Sequence, residues 1–494
     1  MLGRVTQEDV TAMDGAPAVE GTIQLKYEYD DALGRLTKAI DYNIDGTATD
    51  DAEASYTYSW TGSNRIVQEN QKLGSGSTYT AETTILNVGV PYSMKYPGPD
   101  GSRFMVFFDK DVNLRITEIT DSSHYLARYD FVGDLLSRKR LGDFGGSETE
   151  IYWGSLDGDT LPQYDAFDRV IDSKYYTPTN NVRSELKYAY DYASNVTWRY
   201  DYEMQDAHSK NWSQKYTYDG LDRLIKAEQG SVDDESWPPN STTTMSTVEK
   251  TWTWDDSAES GYNTLDKLGN WVRSNYTDAS NDKDDIRQHN EANEIEAPAS
   301  GGGPARIFDG KPREIVHDAA GNVTILELDE SGGGTKTWRF TYDYRNRLIK
   351  VESKTTGEFG NVATYLYDAL NRRVKKDLDS EVETDILYLY DGWRCVEERD
   401  AATPSTVLRQ YVYGGQYMDE LVCKIETPGG TPTKHYYLQD ANYNVVALAN
   451  TSGTVQERYL YEPYGNVTIT DEGGTTRTES SYSNTLTFQC TGSA

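Results

Sequence analysis

The chain has little of what would staple a small fold or build a reactive centre. Three cysteines in 494 residues, Cys395, Cys423 and Cys490, make neither a disulfide framework nor a zinc spacing. Cys395 and Cys423 could pair in an oxidising compartment, and small buried thiols are the simpler expectation. Five histidines (His124, His208, His289, His317, His435) are scattered without ligand spacing. No Gly-x-Ser-x-Gly elbow, His-Glu-x-x-His or phosphate loop is present, so no catalytic residue, metal or cofactor is expected. Basic residues number 48 against 80 acidic ones, for a net charge of −32. Such a chain repels phosphate backbones, and no nucleic-acid partner is expected. No run approaches the roughly 20 apolar residues of a membrane span, and the start carries no apolar signal core. Hydrophobic residues make up 36% and mean hydropathy is −0.74. Disorder would explain that balance, but 39 Tyr and 10 Trp argue against it.

What the chain has is a recurring Tyr-Asp dipeptide ahead of a short turn and an Arg. It reads YDDALGR at Tyr29-Asp30 through Gly34-Arg35, YDAFDR at Tyr164-Asp165 through Arg169, and YDGLDR at Tyr218-Asp219 through Arg223. It returns as YDYRNR at Tyr342-Asp343 through Asn346-Arg347 and as YDALNR at Tyr367-Asp368 through Asn371-Arg372. Aromatic anchors at Tyr342, Tyr367, Tyr390, Tyr413, Tyr437 and Tyr461 are 25, 23, 23, 24 and 24 residues apart. Earlier copies, including Phe108-Asp109 and Tyr129-Asp130, are looser. Self-similarity at this period is the signature of a stacked array. Residues 1–340 read as irregular repeats and 341–489 as regular ones, with 490–494 a divergent tail.

Each unit reads as a β-hairpin, making the chain all-β. Trp338, Phe340 and Tyr342 alternate with polar residues, which places them on one face of a strand. Asp ends the strand by bonding nearby amides. Gly34, Asp222, Asn346 and Asn371 are residue types that tolerate a left-handed backbone. The Arg four residues after the Asp closes the turn as a charge-assisted clamp; in YDDALGR either Asp30 or Asp31 is its partner. Low hydropathy with many aromatics suggests a thin sheet, wet on both sides, with aromatic ladders within it. Stretches at Ser231–Ser246, Glu296–Ala305 and Gly332–Gly334 read as exposed loops. Asp41–Gly46 matches half of a calcium loop, but Ala52 stands where the bidentate Glu belongs. A hairpin turn is the expectation there.

These units resemble the Rhs/YD-repeat family. Ala319-Ala320-Gly321-Asn322-Val323-Thr324 resembles a common variant of its turn, and His289–Ile295 is similar to another frequent segment. Tyr436–Ala447, followed by Tyr459-Leu460-Tyr461-Glu462-Pro463-Tyr464-Gly465, resembles the opening of the Rhs repeat-associated core, here truncated. The resemblance covers roughly residues 20–490. It implies a spiralling antiparallel ribbon that is part of a hollow, barrel-like shell, outside the cell or at its surface. In bacterial toxin members such a shell encloses a C-terminal effector released by aspartic self-cleavage; in teneurins it carries adhesion domains. The cleavage segment and effector have no match here, and Leu2–Thr6 resembles the interior of a repeat, so the chain reads as a piece of a longer protein. The expectation is a non-catalytic wall whose partners are an enclosed effector or neighbouring shell segments. The alternatives are an adhesin that binds carbohydrate or a cell-surface protein through exposed aromatics and, less favoured, a self-cleaving core.

Overall fold

The structure is a computed structural model. It describes residues 5–13, 16–30, 33–42, 51–98, 103–142, 150–154, 163–232, 244–254, 265, 268–271, 273–280, 282–286, 288–296, 312–329, 334–379, 384–426 and 432–481. Most of the three expected loops, the Asn43–Gly46 part of the calcium-like segment and Cys490 lie outside these residues.

Two meandering antiparallel sheets hold nearly all of the described chain. The first has 20 strands between Gln7 and Ile286, and the second has 14 between Pro312 and Thr470. In both, each strand pairs with the next in sequence, as Val182–Tyr190 pairs with Val196–Asp201 and Thr335–Tyr342 with Leu348–Lys354. A small hairpin, Gln288–His289 with Ile295–Glu296, lies between them in sequence. The expected all-β hairpin ribbon is therefore what forms, and no pairing closes either sheet into a barrel among the described residues. One short helix, Tyr202–His208, spans a hairpin loop, capped by Asp201 accepting from the Met204 N–H. Its Met204 packs with Trp212 and with Leu460 of the second sheet.

The period-two pattern sets two faces of the second sheet. Val412, Cys423, Tyr436, Ala449 and Val455 lie opposite one another across successive strands. They share a core with Met94, Val106, Ile119, Leu126 and Leu141 of the first sheet. The other face carries Tyr411, Tyr437, Leu448 and Tyr459, packed as a second cluster. Ile386–Tyr390, Leu421–Ile425 and Val445–Ala449 are consequently buried at every position. This corrects the expectation of a thin sheet wet on both sides. Packing one sheet on the other removes one face from water, and the tyrosine ladder with its paired charges covers the other.

The two sheets meet in broadly the same order along the chain, with local inversions such as Asp121 on Lys434. Asp41 pairs with Arg347, Glu69 with Arg372 and Gln71 with Tyr390. Farther on, Tyr96 meets Tyr411, Lys139 meets Glu420, Tyr175 meets Gln439 and Gln214 meets Tyr461. This ordered seam is what successive turns of one winding ribbon produce. Gln71 acts at the seam as a surrogate strand residue: its amide donates to the Tyr390 carbonyl (2.7 Å) and accepts from the Tyr390 N–H (3.0 Å).

A buried clasp reinforces the seam. Arg399 donates to the Pro97 carbonyl (2.9 Å), to the Pro404 carbonyl (2.8 Å) and to Glu397, which also accepts from Gln410. Burial pushes the Glu397 carboxyl up to about 7, against the pull of Arg399 and Gln410. Its folded-state pKa lies above its unfolded value, so the protonated form favours the fold. That contribution is complete below pH 4.5, the ordinary value, and is lost as pH rises through 7. The shift corresponds to on the order of 3 kcal/mol. Glu397→Gln should gain stability relative to the unaltered protein by up to that amount between pH 4.5 and pH 8, measured by urea unfolding. A difference that does not change with pH would refute the assignment.

Candidate functional site: the Asp turn and the seam it builds

The recurring turn has one geometry. In Asp165–Arg169, the Asp165 Oδ1 accepts from the Phe167 N–H (2.9 Å) and the Arg169 N–H (3.0 Å), while its Oδ2 accepts from Arg169 Nε (2.7 Å). Asp219–Arg223, Asp343–Arg347 and Asp368–Arg372 repeat these bonds. The residue before the Arg takes a positive φ: Asp168 at 61°, Asp222 at 60°, Asn346 at 60° and Asn371 at 65°. In the YDDALGR copy Asp30 pairs with Arg35 at 2.9 Å and Gly34 has φ 68°, while Asp31 lies outside the described residues. After Phe108-Asp109 the clamp is formed instead by Asp111 and Arg115. Backbone and side-chain bonds from Arg223 outweigh desolvation and hold the Asp219 carboxyl below its usual range. Both oxygens of such an Asp are committed to the turn. The arrangement fixes backbone shape and leaves no carboxylate aimed at a substrate.

The turns also bind one another, which the motif alone does not reveal. Arg169 donates to the Asp191 carbonyl of the next turn (3.0 Å), and Arg347 to that of Asp368 (3.0 Å). The same guanidinium lies over the next repeat's tyrosine: Arg169 over Tyr190 at 4.6 Å, Arg347 over Tyr367 at 5.1 Å, Arg372 over Tyr390 at 4.8 Å. Each tyrosine hydroxyl then reaches back one repeat. Tyr218 donates to Val196, Tyr367 to Leu348 and Tyr461 to Val445, all to carbonyls at 2.8–3.0 Å. Asn replaces Arg in some copies and keeps both functions: Asn195 bonds Asp191 and Asp222, and Asn322 bonds Asp318 and Asn346. The Asn-x-Thr triplets at Asn195 and Asn322 therefore sit in clamps.

The remaining motif residues are placed as follows. Tyr29 donates to the Val5 carbonyl, Tyr164 bridges to Val170, and Tyr342 is half-buried. Tyr464 packs against Trp254 and Trp271, with ring centroids 4.9 Å away in each case, and Gly465 has φ 88°. In the second sheet the turn gains a further contact at the seam. Arg347 reaches Asp41 at 2.8 Å and Arg372 reaches Glu69 at 2.5 Å, both among buried groups. Sequence spacing could not supply these partners, since they lie 306 and 303 residues away.

Other reactive groups form no constellation. Burial and then Glu185 raise Asp172 to about 6, beside Lys187 and Lys174. Burial pushes the Cys423 thiol up to about 12, which makes it a poor nucleophile, and both Cys395 and Cys423 are free thiols. Among the described residues, no three His, Cys, Asp or Glu side chains gather as a metal site, and no helix is long and apolar enough to cross a membrane. A cavity of about 280 Å³ lies at the seam, lined by Gln71, Tyr79, Asp368, Tyr388 and Pro404 among others.

No family model matches the chain. It is similar to the tRNA3(Ser)-specific nuclease WapA of Bacillus spizizenii, 31% identical over 154 residues, which are 30% of this chain and 6% of that protein. Toxin protein Tse5 of Pseudomonas aeruginosa is 26% identical over 205 residues, covering 38% of this chain and 15% of Tse5. The probable deoxyribonuclease RhsA of Dickeya dadantii is 26% identical over 152 residues, 31% of this chain and 10% of that one. Among solved structures, the Photorhabdus luminescens Tc holotoxin pore superimposes with a TM-score of 0.49 at 13% identity, over 91% of this chain and 22% of its own. The chain thus spans a small part of the curated relatives it matches.

Two substitutions test the turn and the seam. Asn371→Val forces a β-branched residue to φ 65° and should cost about 1–2 kcal/mol, whereas Asn371→Gly should be nearly neutral; urea unfolding reads both. Arg372→Ala strands Glu69 and Asp368 as buried charges and should cost about 3–5 kcal/mol, with part recovered on adding Glu69→Gln. Equal loss in the single and double variants would remove the seam ion pair from the account.

Proposed function

We propose that this chain, whose repeats are those of the Rhs/YD-repeat family, is a non-catalytic segment of a shell wall that encloses a toxin or effector domain. The observation carrying this reading is the ordered seam: the clamped turns of one ribbon seat on the strands of the next, as a wall requires. Its motif residues from Tyr29 through Gly465 act as joints, and the described part of the regular repeats in 341–489 is the most regular stretch of wall. The similarity to nuclease and toxin proteins supports an enclosed effector as the partner. Activity in those relatives is taken to reside in segments this chain does not match. An acidic wall, at net charge −32, would hold a basic effector by charge. The place of action is outside the cell or at its surface, by analogy with those toxins.

Small-angle scattering of the purified chain should give the broad pair-distance distribution of a curved wall. A small basic domain fused to its carboxyl end should survive protease longer than the same domain free. A compact-sphere profile together with unchanged digestion of the fused domain would sink the proposal.

A further inference from the structure

Turn tips are covered at several second-sheet positions and bare along the first sheet, although Trp393 and Met418 of the second sheet, 77% and 66% exposed, are bare as well. In the second sheet, Ala369 is 2% exposed and Leu370 is half-buried, both packed with Leu25 and Ala39 of the first sheet. Ala441 likewise packs into the shared core. In the first sheet, the turn tips Leu33, Val112, Phe167, Leu221 and Leu268 are 67–97% exposed. The clamp arginines follow suit. Arg347 and Arg372 are 9% and 3% exposed at the side chain, whereas Arg115, Arg169 and Arg223 are 26%, 22% and 33% exposed.

The seam shows what such an edge binds. Asp41, Gln71, Lys139, Tyr175 and Gln214, which receive the second sheet, lie in the halves of their strands farthest from the first sheet's own Asp turns. The turn edge of one ribbon therefore seats on the far edge of another, apolar tip on strand and arginine on carboxylate. This chain has a second set of each edge, solvent-facing in the structure. The first sheet's turn edge carries exposed apolar tips beside arginines that are 22–33% exposed and already engaged in their own clamps. The second sheet's far edge exposes carboxylates, Glu358 and Asp379 among them.

We propose that the turn edge of the first sheet docks the acidic far edge of the second sheet in another copy of this chain, head to tail. This goes beyond the wall reading, since it names a surface and an occupant for it. The contact is heterologous, so it leaves a complementary edge free at each end and propagates. Arginine–carboxylate pairing at the rim makes it weaken with salt.

Sedimentation of the full chain tests it with two variants at exposed positions. One carries Phe167→Asp and Leu221→Asp at the tips, the other Glu358→Lys and Asp379→Lys at the far edge, and circular dichroism checks that both remain folded. The unaltered chain should associate with rising concentration and dissociate in high salt. Each variant alone should stay monomeric. Mixed, they should form a one-to-one dimer, because each retains the edge the other lost. A chain that stays monomeric up to millimolar concentration, or tip variants that associate as the unaltered chain does, would overturn the proposal. Association of each variant that is undiminished, with no preference for the mixture, would do so too.

Discussion

The structure depends on an arginine that serves three partners at once. Within its own turn it pairs with the Asp that ended the strand. Its remaining N–H groups reach the carbonyl of the next turn, and its flat face covers the next tyrosine. A lysine could supply the charge, but not a planar fork that bonds sideways and stacks on top. The tyrosine returns the bond one repeat back. Neighbouring hairpins are thus tied in both directions, and the array gains its stiffness from nearest-neighbour terms. Asn can stand in where its short amide spans the same two turns, as Asn195 does. That explains why the motif varies in spelling and keeps its shape.

The same arginine makes a buried charge tolerable at the seam. Arg372 and Glu69 are nearly sealed from water, a costly arrangement for an isolated pair. Asp368 and the Gly392 carbonyl already fix the guanidinium before Glu69 arrives. Desolvation still raises the Glu69 carboxyl against Arg372 and the Gly392 N–H. The pair therefore selects register between sheets more than it adds cohesion, and cohesion comes from apolar contacts such as Ile119 and Leu126 against Tyr436 and Leu438.

Local features were legible in the sequence because their causes are local. The alternation in Trp338–Tyr342 marks a strand, and the left-handed positions at Gly34, Asp222, Asn346 and Asn371 follow from residue type. The pairing of Asp30 with Arg35 needed coordinates, since an extra residue in the turn shifts the count. So did the clamp at Asp111, where Leu114 holds the left-handed position with no sequence signal for it. The seam was invisible for a different reason. Its partners are hundreds of residues apart, and nothing in Glu69 or Gln71 distinguishes them from other polar residues on a strand. The double-sided burial of Leu421–Ile425 was missed with it, because Lys424 in that run reads as solvent-facing until Glu426 covers its ammonium.

These constraints bear on what kind of work the chain can do. A catalytic carboxylate needs a free lone pair or a proton to give, and the conspicuous Asp residues here have spent both oxygens on backbone amides and arginine. What the turn leaves facing water is its apolar tip and a part of its engaged arginine. Where a second ribbon is present, as at Leu370 and Arg372, both are consumed. The residue pattern therefore encodes adhesion between ribbons as well as the hairpin itself.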